Sequence, residues 1–211
     1  MLRPSEALRI LEAVAEQDPE RPRSFHNGHV LLSIMALDPE LPMSRDELQD
    51  RLGLGGGAIR SLISRLVMNH LLVASPSGMR LKGLGSKVKS ELSKRIVGPT
   101  DVKLDYLRLD VSNTAYLVRG TTVSAAESIV LRDSVVRYGG TGGTACISKG
   151  DVAVPGVTES LEEISRTDVD ALRKLKPGYG DLIFISSAPS RAVAASSGAA
   201  ALFDFLLHKG V

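Results

Sequence analysis

The sequence predicts an α+β chain in two domains, residues 1–97 and 101–211, and three observations carry that prediction. Apolar residues in the first half recur at i, i+3, i+4 and i+7, the spacing of helices that bury one face. Beyond Val97-Gly98-Pro99-Thr100, a stretch unsuited to a helix, β-like runs alternate with helical ones. Charge shifts at the same place. Residues 44–96 hold 10 Lys/Arg against 4 Asp/Glu, whereas 1–43 carry a net −3 and 97–211 a net −1.

The elements of the first domain follow in order. A stripe of Ala7, Leu8, Ile10, Leu11, Val14 and Ala15 predicts a helix from Ser5 to Gln17, which DPERPRS then breaks because Pro cannot continue it. HVLLSIMAL, apolar nearly all round, predicts a buried helix from Asn27 to Leu37. Ser44-Arg45-Asp46-Glu47 has the spacing of a reciprocal capping box, and Gly53 suits the left-handed close of that helix. In GGGAIRSLISRLVMNHLL, Ile59, Leu62, Ile63, Leu66 and Val67 form a buried stripe opposite Arg60, Ser61, Ser64 and Arg65. LLVAS and MRLKG are two short strands joined at Pro76-Ser77-Gly78. SKVKSELSKRI predicts a basic amphipathic helix from Gly85 to Ile96, with Val88, Leu92 and Ile96 inward.

The element order in residues 27–96, about a third of the chain, resembles the winged helix-turn-helix of small prokaryotic regulators, and the run MSRDELQDRLGLGGGAIRSLISRLVMNHLLVASPSGMRLKGLGSKVKSEL carries the resemblance. The resemblance implies an N-terminal winged-helix domain that binds double-stranded DNA, its second motif helix in the major groove. On that reading, Gly55-Gly56-Gly57 makes a sharp turn and lets free helix-end amides approach a phosphate. Arg60 and Arg65 make charged or bidentate contacts to guanine, and Ser61 and Ser64 contact phosphate or base edges. Arg80 and Lys82 sit on the wing, and Lys87 and Lys89 add attraction to the phosphates.

In the small mixed second domain, DYLRLDV, TAYLVRG and DLIFIS read as strands. A helix falls within residues 121–138, GTACISKGDVAVPG reads as a hairpin turning at Lys149-Gly150, and SLEEISRTDVDALRKL reads as a helix with Leu161, Ile164, Val169 and Leu172 on its apolar side. A small-residue helix runs from Pro189 to His208. YGGTGGT suggests a phosphate loop but follows a helix and leads into a strand, the reverse of a dinucleotide fingerprint, so it reads as a flexible connector. Ser186, Ser187, Ser190 and Arg191, at a strand-to-helix turn, are the candidates for an anionic metabolite. LRDSVVRYGGTGGTACISKGDVAVPG followed by GDLIFISS is similar to a group of uncharacterised archaeal proteins that join a winged helix to an α+β domain of unknown function. That similarity implies a regulator with a sensing or oligomerising second domain.

The remaining composition excludes more than it assigns. Single Cys146 gives no disulfide framework and reads as a small buried hydrophobe. His26 and His29 are the one close histidine pair and lack the accompanying ligands of a metal site. No run reaches the roughly 18 apolar residues of a membrane span. The expectation is a cytoplasmic homodimeric regulator, paired through its first or last helix, with neither membrane nor cofactor involved and no catalytic set. The alternatives are a winged helix that binds protein or RNA, and an enzyme whose second domain takes a nucleotide or metabolite.

Overall fold

The computed structural model describes residues 2–16 and 24–210, so the break read in residues 18–23 lies outside the described residues. The fold is α+β: eight helices and two antiparallel sheets among the described residues. The chain divides into two compact units, Met1–Ser93 with Phe203–Val211, and Lys94–Leu202.

The first unit contains α1 (Pro4–Ala15), α2 (Asn27–Ala36), α3 (Arg45–Leu52), α4 (Gly56–Met68), the hairpin β1 (Leu72–Ser75) and β2 (Gly78–Leu81), and α5 (Gly83–Ser93). Helix α2 is the buried centre, with every residue from Gly28 to Ile34 inside. Helix α3 closes at Gly53 with φ 65°, as its sequence predicts. Its start differs from the predicted box. The Ser44 hydroxyl accepts from the Glu47 amide at 3.1 Å, but the Glu47 carboxylate is taken by Arg51, one turn on, at 2.8 Å. Met43 bridges Met79 antiparallel, an isolated bridge at the edge of the two-stranded hairpin. Helix α5 starts earlier than expected and ends at Ser93; Ile96 already belongs to the next strand. Gly85 is fixed by packing, since a Cβ there would stand 2.0 Å from the Leu71 carbonyl oxygen.

The second unit is one five-stranded sheet in the order β3-β4-β7-β5-β6, every pairing antiparallel. Its strands are β3 (Ile96–Asp101), β4 (Ser112–Val118), β5 (Gly142–Lys149), β6 (Asp151–Ala153) and β7 (Leu182–Ala188). Val97-Gly98-Pro99-Thr100, read from the sequence as a boundary, is the middle of β3. One face of the sheet carries Ala115, Leu117, Cys146, Ile183 and Ile185 into a core with Val169 and Leu172 of α7 (Arg166–Arg173). The other face presents Tyr116 and Ser186 to α8 (Arg191–Lys209), where a Cβ on Gly198 would stand 2.7 Å from Ser186 and 2.9 Å from Tyr116. The small residues of α8 thus serve close packing on the sheet. Helix α6 (Ala125–Arg137) packs beside β5, and a reciprocal Ser124–Glu127 box opens it.

Two expected elements differ. Residues 105–111 do not form a strand: the buried Asp168 carboxylate accepts from the amides of Asp105 and Leu107, both at 2.7 Å, and holds the segment as a loop. The helix read across residues 160–175 starts only at Arg166, capped by Ser165; Leu161 is buried ahead of it and Ile164 is exposed.

Gly85→Ala is expected to cost about 1–3 kcal/mol or more, because backbone faces backbone and neither side can rotate away. Denaturant titration measures it, and a variant as stable as the parent refutes the close contact.

Candidate nucleic-acid interface

Helix α4 follows from its sequence except at Val67, expected inside but exposed: Ile59, Leu62 and Leu66 are fully buried, Ile63 is half-buried, and Arg60, Ser61 and Ser64 face outward. Its N-terminus carries no capping side chain, since Gly55 occupies the cap in an ordinary extended conformation. The sharp turn expected of the triple glycine is not there; the left-handed residue between α3 and α4 is Gly53, where the sequence placed it. A Cβ on Gly55 or Gly57 would meet nothing within 4 Å, and one on Gly56 would stand 3.8 Å from Arg60 Nη1 and 4.0 Å from Gln49 Oε1. Neither backbone geometry nor packing within the chain requires these glycines. Helix starts leave amides without intrahelical partners, and here they lie under bare backbone. Gln49, which sequence reasoning did not single out, reaches the same Gly56 backbone as Arg60 does.

The eight basic and hydroxyl candidates do not form one surface. Arg60, Ser61 and Ser64 share the outer face of α4. Arg80 lies on the outer side of the hairpin opposite Val73, and Lys82 is exposed where the hairpin runs into α5. Arg65, expected at a base, lies half-buried in a groove that Arg60, Ser61 and Ser64 also line, but it is engaged within the chain: its Nη1 donates to the carbonyls of Val14 at 3.2 Å and Glu16 at 2.6 Å, and its guanidinium lies 5.5 Å from the Phe25 ring centre. Lys89 donates to the Leu37 carbonyl at 2.6 Å. Both meet the C-terminal ends of helices that have no basic residue in their own last turn, where positive charge is favourable. Lys87 borders a groove of about 730 Å³ with Leu2, Glu6, Leu84 and Glu91 between α1 and α5.

The four residues proposed for an anionic metabolite do not converge either. Ser186 and Ser187 are buried inside β7, the first 3.1 Å from the Ser197 hydroxyl and the second donating to Asn113 Oδ1 at 2.6 Å. Ser190 accepts from the Val193 amide at 3.3 Å as an ordinary helix cap, and Arg191 is paired with Asp101 at 2.7 Å. The YGGTGGT stretch is no loose connector. Gly142 and Gly143 lie in β5, where a Cβ on Gly143 would come within 2.9 Å of the Phe184 ring, and one on Gly140 within 2.5 Å of Val135.

The histidine pair caps α2. His26 Nδ1 accepts from the Gly28 amide at 3.2 Å, His29 Nδ1 accepts from the His26 amide at 3.3 Å, and the ring centres are 3.9 Å apart. Burial lowers His26 to about 3, with the neighbouring His29 adding to the effect, and lowers His29 to about 4. Among the described residues no three His, Cys, Asp or Glu side chains gather as metal ligands. Cys146 is buried, and that burial, with Asp168 contributing, pushes its thiol up to about 12, consistent with a packing role.

A helical unit with a two-stranded hairpin and an α+β unit with a five-stranded sheet define the class. Residues 110–205 match the model of a domain of unknown function, DUF4443. The chain is similar in fold to the hypothetical protein PH0730 from Pyrococcus horikoshii OT3, with a TM-score of 0.72 and 22% identity over 87% of this chain and 94% of that one. No curated protein matches the chain. No helix among the described residues is long and apolar enough to cross a membrane.

Two outcomes test this geometry. Arg65→Ala is expected to lose about 1–2 kcal/mol through its two carbonyl bonds, whereas Arg60→Ala stays near the parent in the same denaturant titration; equal effects would refute the division. Unfolded histidines titrate near the ordinary 6.5, so between that value and about 4 the unfolded chain binds more protons than the folded one. The pair's contribution is therefore complete above 6.5 and is lost as pH falls through about 4 and then about 3. His26→Asn, which keeps a capping acceptor, should flatten stability against pH in that window, and an unchanged slope would show the pair to be irrelevant to it.

Proposed function

We propose that the chain is a DNA-binding regulator that lays α4 in the major groove of a duplex, with the β1–β2 hairpin as the wing. The observation that supports this most is the N-terminus of α4. Three glycines stand where the fold does not need them: Gly55 at the cap, a position glycine fills at little cost, and Gly56 and Gly57 in the first turn, each costing up to about 1 kcal/mol of helix stability. They leave amides uncovered beside Arg60, Ser61 and Ser64. Close approach by a phosphate gives those glycines a purpose, and Arg60 with the serines supplies contacts suited to base edges and backbone. The contact set is smaller than the charge count suggests: Arg65 and Lys89 serve the fold, so Arg60, Arg80 and Lys82 carry the phosphate and base contacts. The second unit is read as an oligomerising or sensing domain rather than an enzyme.

Fluorescence anisotropy with labelled duplex across a salt series tests the reading. Affinity should fall steeply with salt, and Lys82→Ala should reduce the log–log slope by about one. Gly57→Ala has room within the chain and improves the helix, so it should raise stability slightly while weakening duplex binding. No duplex binding at low salt, or a Gly57→Ala variant that binds as tightly as its parent, rejects the proposal.

A further inference from the structure

Helix α6 is apolar on two sides. Leu131 and Val135 are buried within the second unit, yet Ile129, Val130 and Val136 are 51%, 60% and 52% exposed. At the start of the helix the Gly156 turn comes close, a Cβ on Gly156 standing 3.0 Å from that of Ala125, and it brings exposed Val157 to the same end. A solvated helix of ordinary composition places charge on that outer side. Here one outer stripe carries aliphatic residues two turns apart, Ile129 and Val136, with Arg132 and Asp133 between them at helical spacing, and Val130 stands exposed at its flank.

The order of the four residues in that stripe specifies what covers them. About a point midway between Arg132 and Asp133, Ile129 maps onto Val136 and Arg132 onto Asp133. The exposed pattern, apolar–plus–minus–apolar, is its own complement when read backwards. Two copies of the helix packed antiparallel across a two-fold axis at that point place each Ile129 against a Val136 and each Arg132 against an Asp133. An isologous contact requires this self-complementarity. Within one copy, Arg132 and Asp133 are paired at 3.0 Å and are themselves 55% and 58% exposed, so both remain within reach of a partner. The same helix packed parallel would set Arg132 against Arg132 and Asp133 against Asp133.

We infer that α6 is a homodimer interface, antiparallel, centred between Arg132 and Asp133, its occupant a second copy of this chain. The interface is independent of the DNA reading and lies on neither of the helices that the sequence suggested for pairing.

Sedimentation equilibrium of the full chain, with its Arg132→Asp, Asp133→Arg and doubly exchanged variants, tests it. These positions are exposed, and far-UV circular dichroism checks that each variant keeps its fold. The parent is expected to dimerise. Each single reversal sets like charges across the axis and should weaken the dimer at least about tenfold, while the double exchange rebuilds the complement and restores it. Ile129→Glu should give a monomer. A monomeric parent, which would leave α6 to some other partner, overturns the inference. So does a dimer indifferent to Ile129→Glu, or one that the double exchange fails to restore.

Discussion

The carbonyls that end α1 and α2 need hydrogen-bond donors, favourably cationic ones, and neither helix has a basic residue in its last turn. Arg65, on α4, reaches the Val14 and Glu16 carbonyls, and Lys89, on α5, reaches that of Leu37. Each bond ties elements some fifty residues apart in the chain, so the two cations add long-range ties to the apolar core that the helices of the first unit share. The exposure of α4 follows from both. With α4 held on one flank by Arg65 and along its buried stripe by Leu62 and Leu66, its glycine end and its Arg60–Ser61–Ser64 face are left toward solvent. A charge that a linear sequence offers to a ligand is here part of the scaffold that presents a different charge.

The second unit relies on the same device with the sign reversed. Asp168 is buried and satisfied by two amides from the 105–107 segment, and Asp181, also buried, accepts from the amides of Gly120 and Gly178, both at 2.8 Å. A carboxylate in a nearly dry site is tolerable only when its oxygens are met by donors. Each therefore acts as a fixed staple for loops that run outside the sheet.

Elements whose signals are local were legible in the sequence. The Ser44 cap, the Gly53 stop, the α4 stripe, the Pro76-Ser77 hairpin and the Lys149-Gly150 hairpin all depend on neighbours within a few residues. What was not legible depends on partners far along the chain. The Gly98-Pro99 pair reads as a break because nothing nearby reveals that β4 supplies its neighbour strand. Residues 105–111 alternate like a strand, and only Asp168, some sixty residues on, makes them a loop. The candidate site divides in the same way. The α4 face and the glycine run are visible in the sequence, but charge alone cannot tell Arg60, left outside, from Arg65, drawn to the end of another helix. Ser186 and Ser187 failed as ligand contacts because the strand runs on through both of them to Ala188 and buries them in the sheet.

The two rims of the five-stranded sheet have a consequence for how copies of this protein can meet. One rim is β3, whose register shifts between Val97 and Thr100 and which carries Pro99, a residue with no amide to offer a newcomer. The other is β6, only three residues long. A ladder needs a straight run of donors and acceptors to grow, and neither border provides one. Fibre-like growth by strand addition is closed on both sides, which leaves association to side chains rather than to main-chain hydrogen bonding.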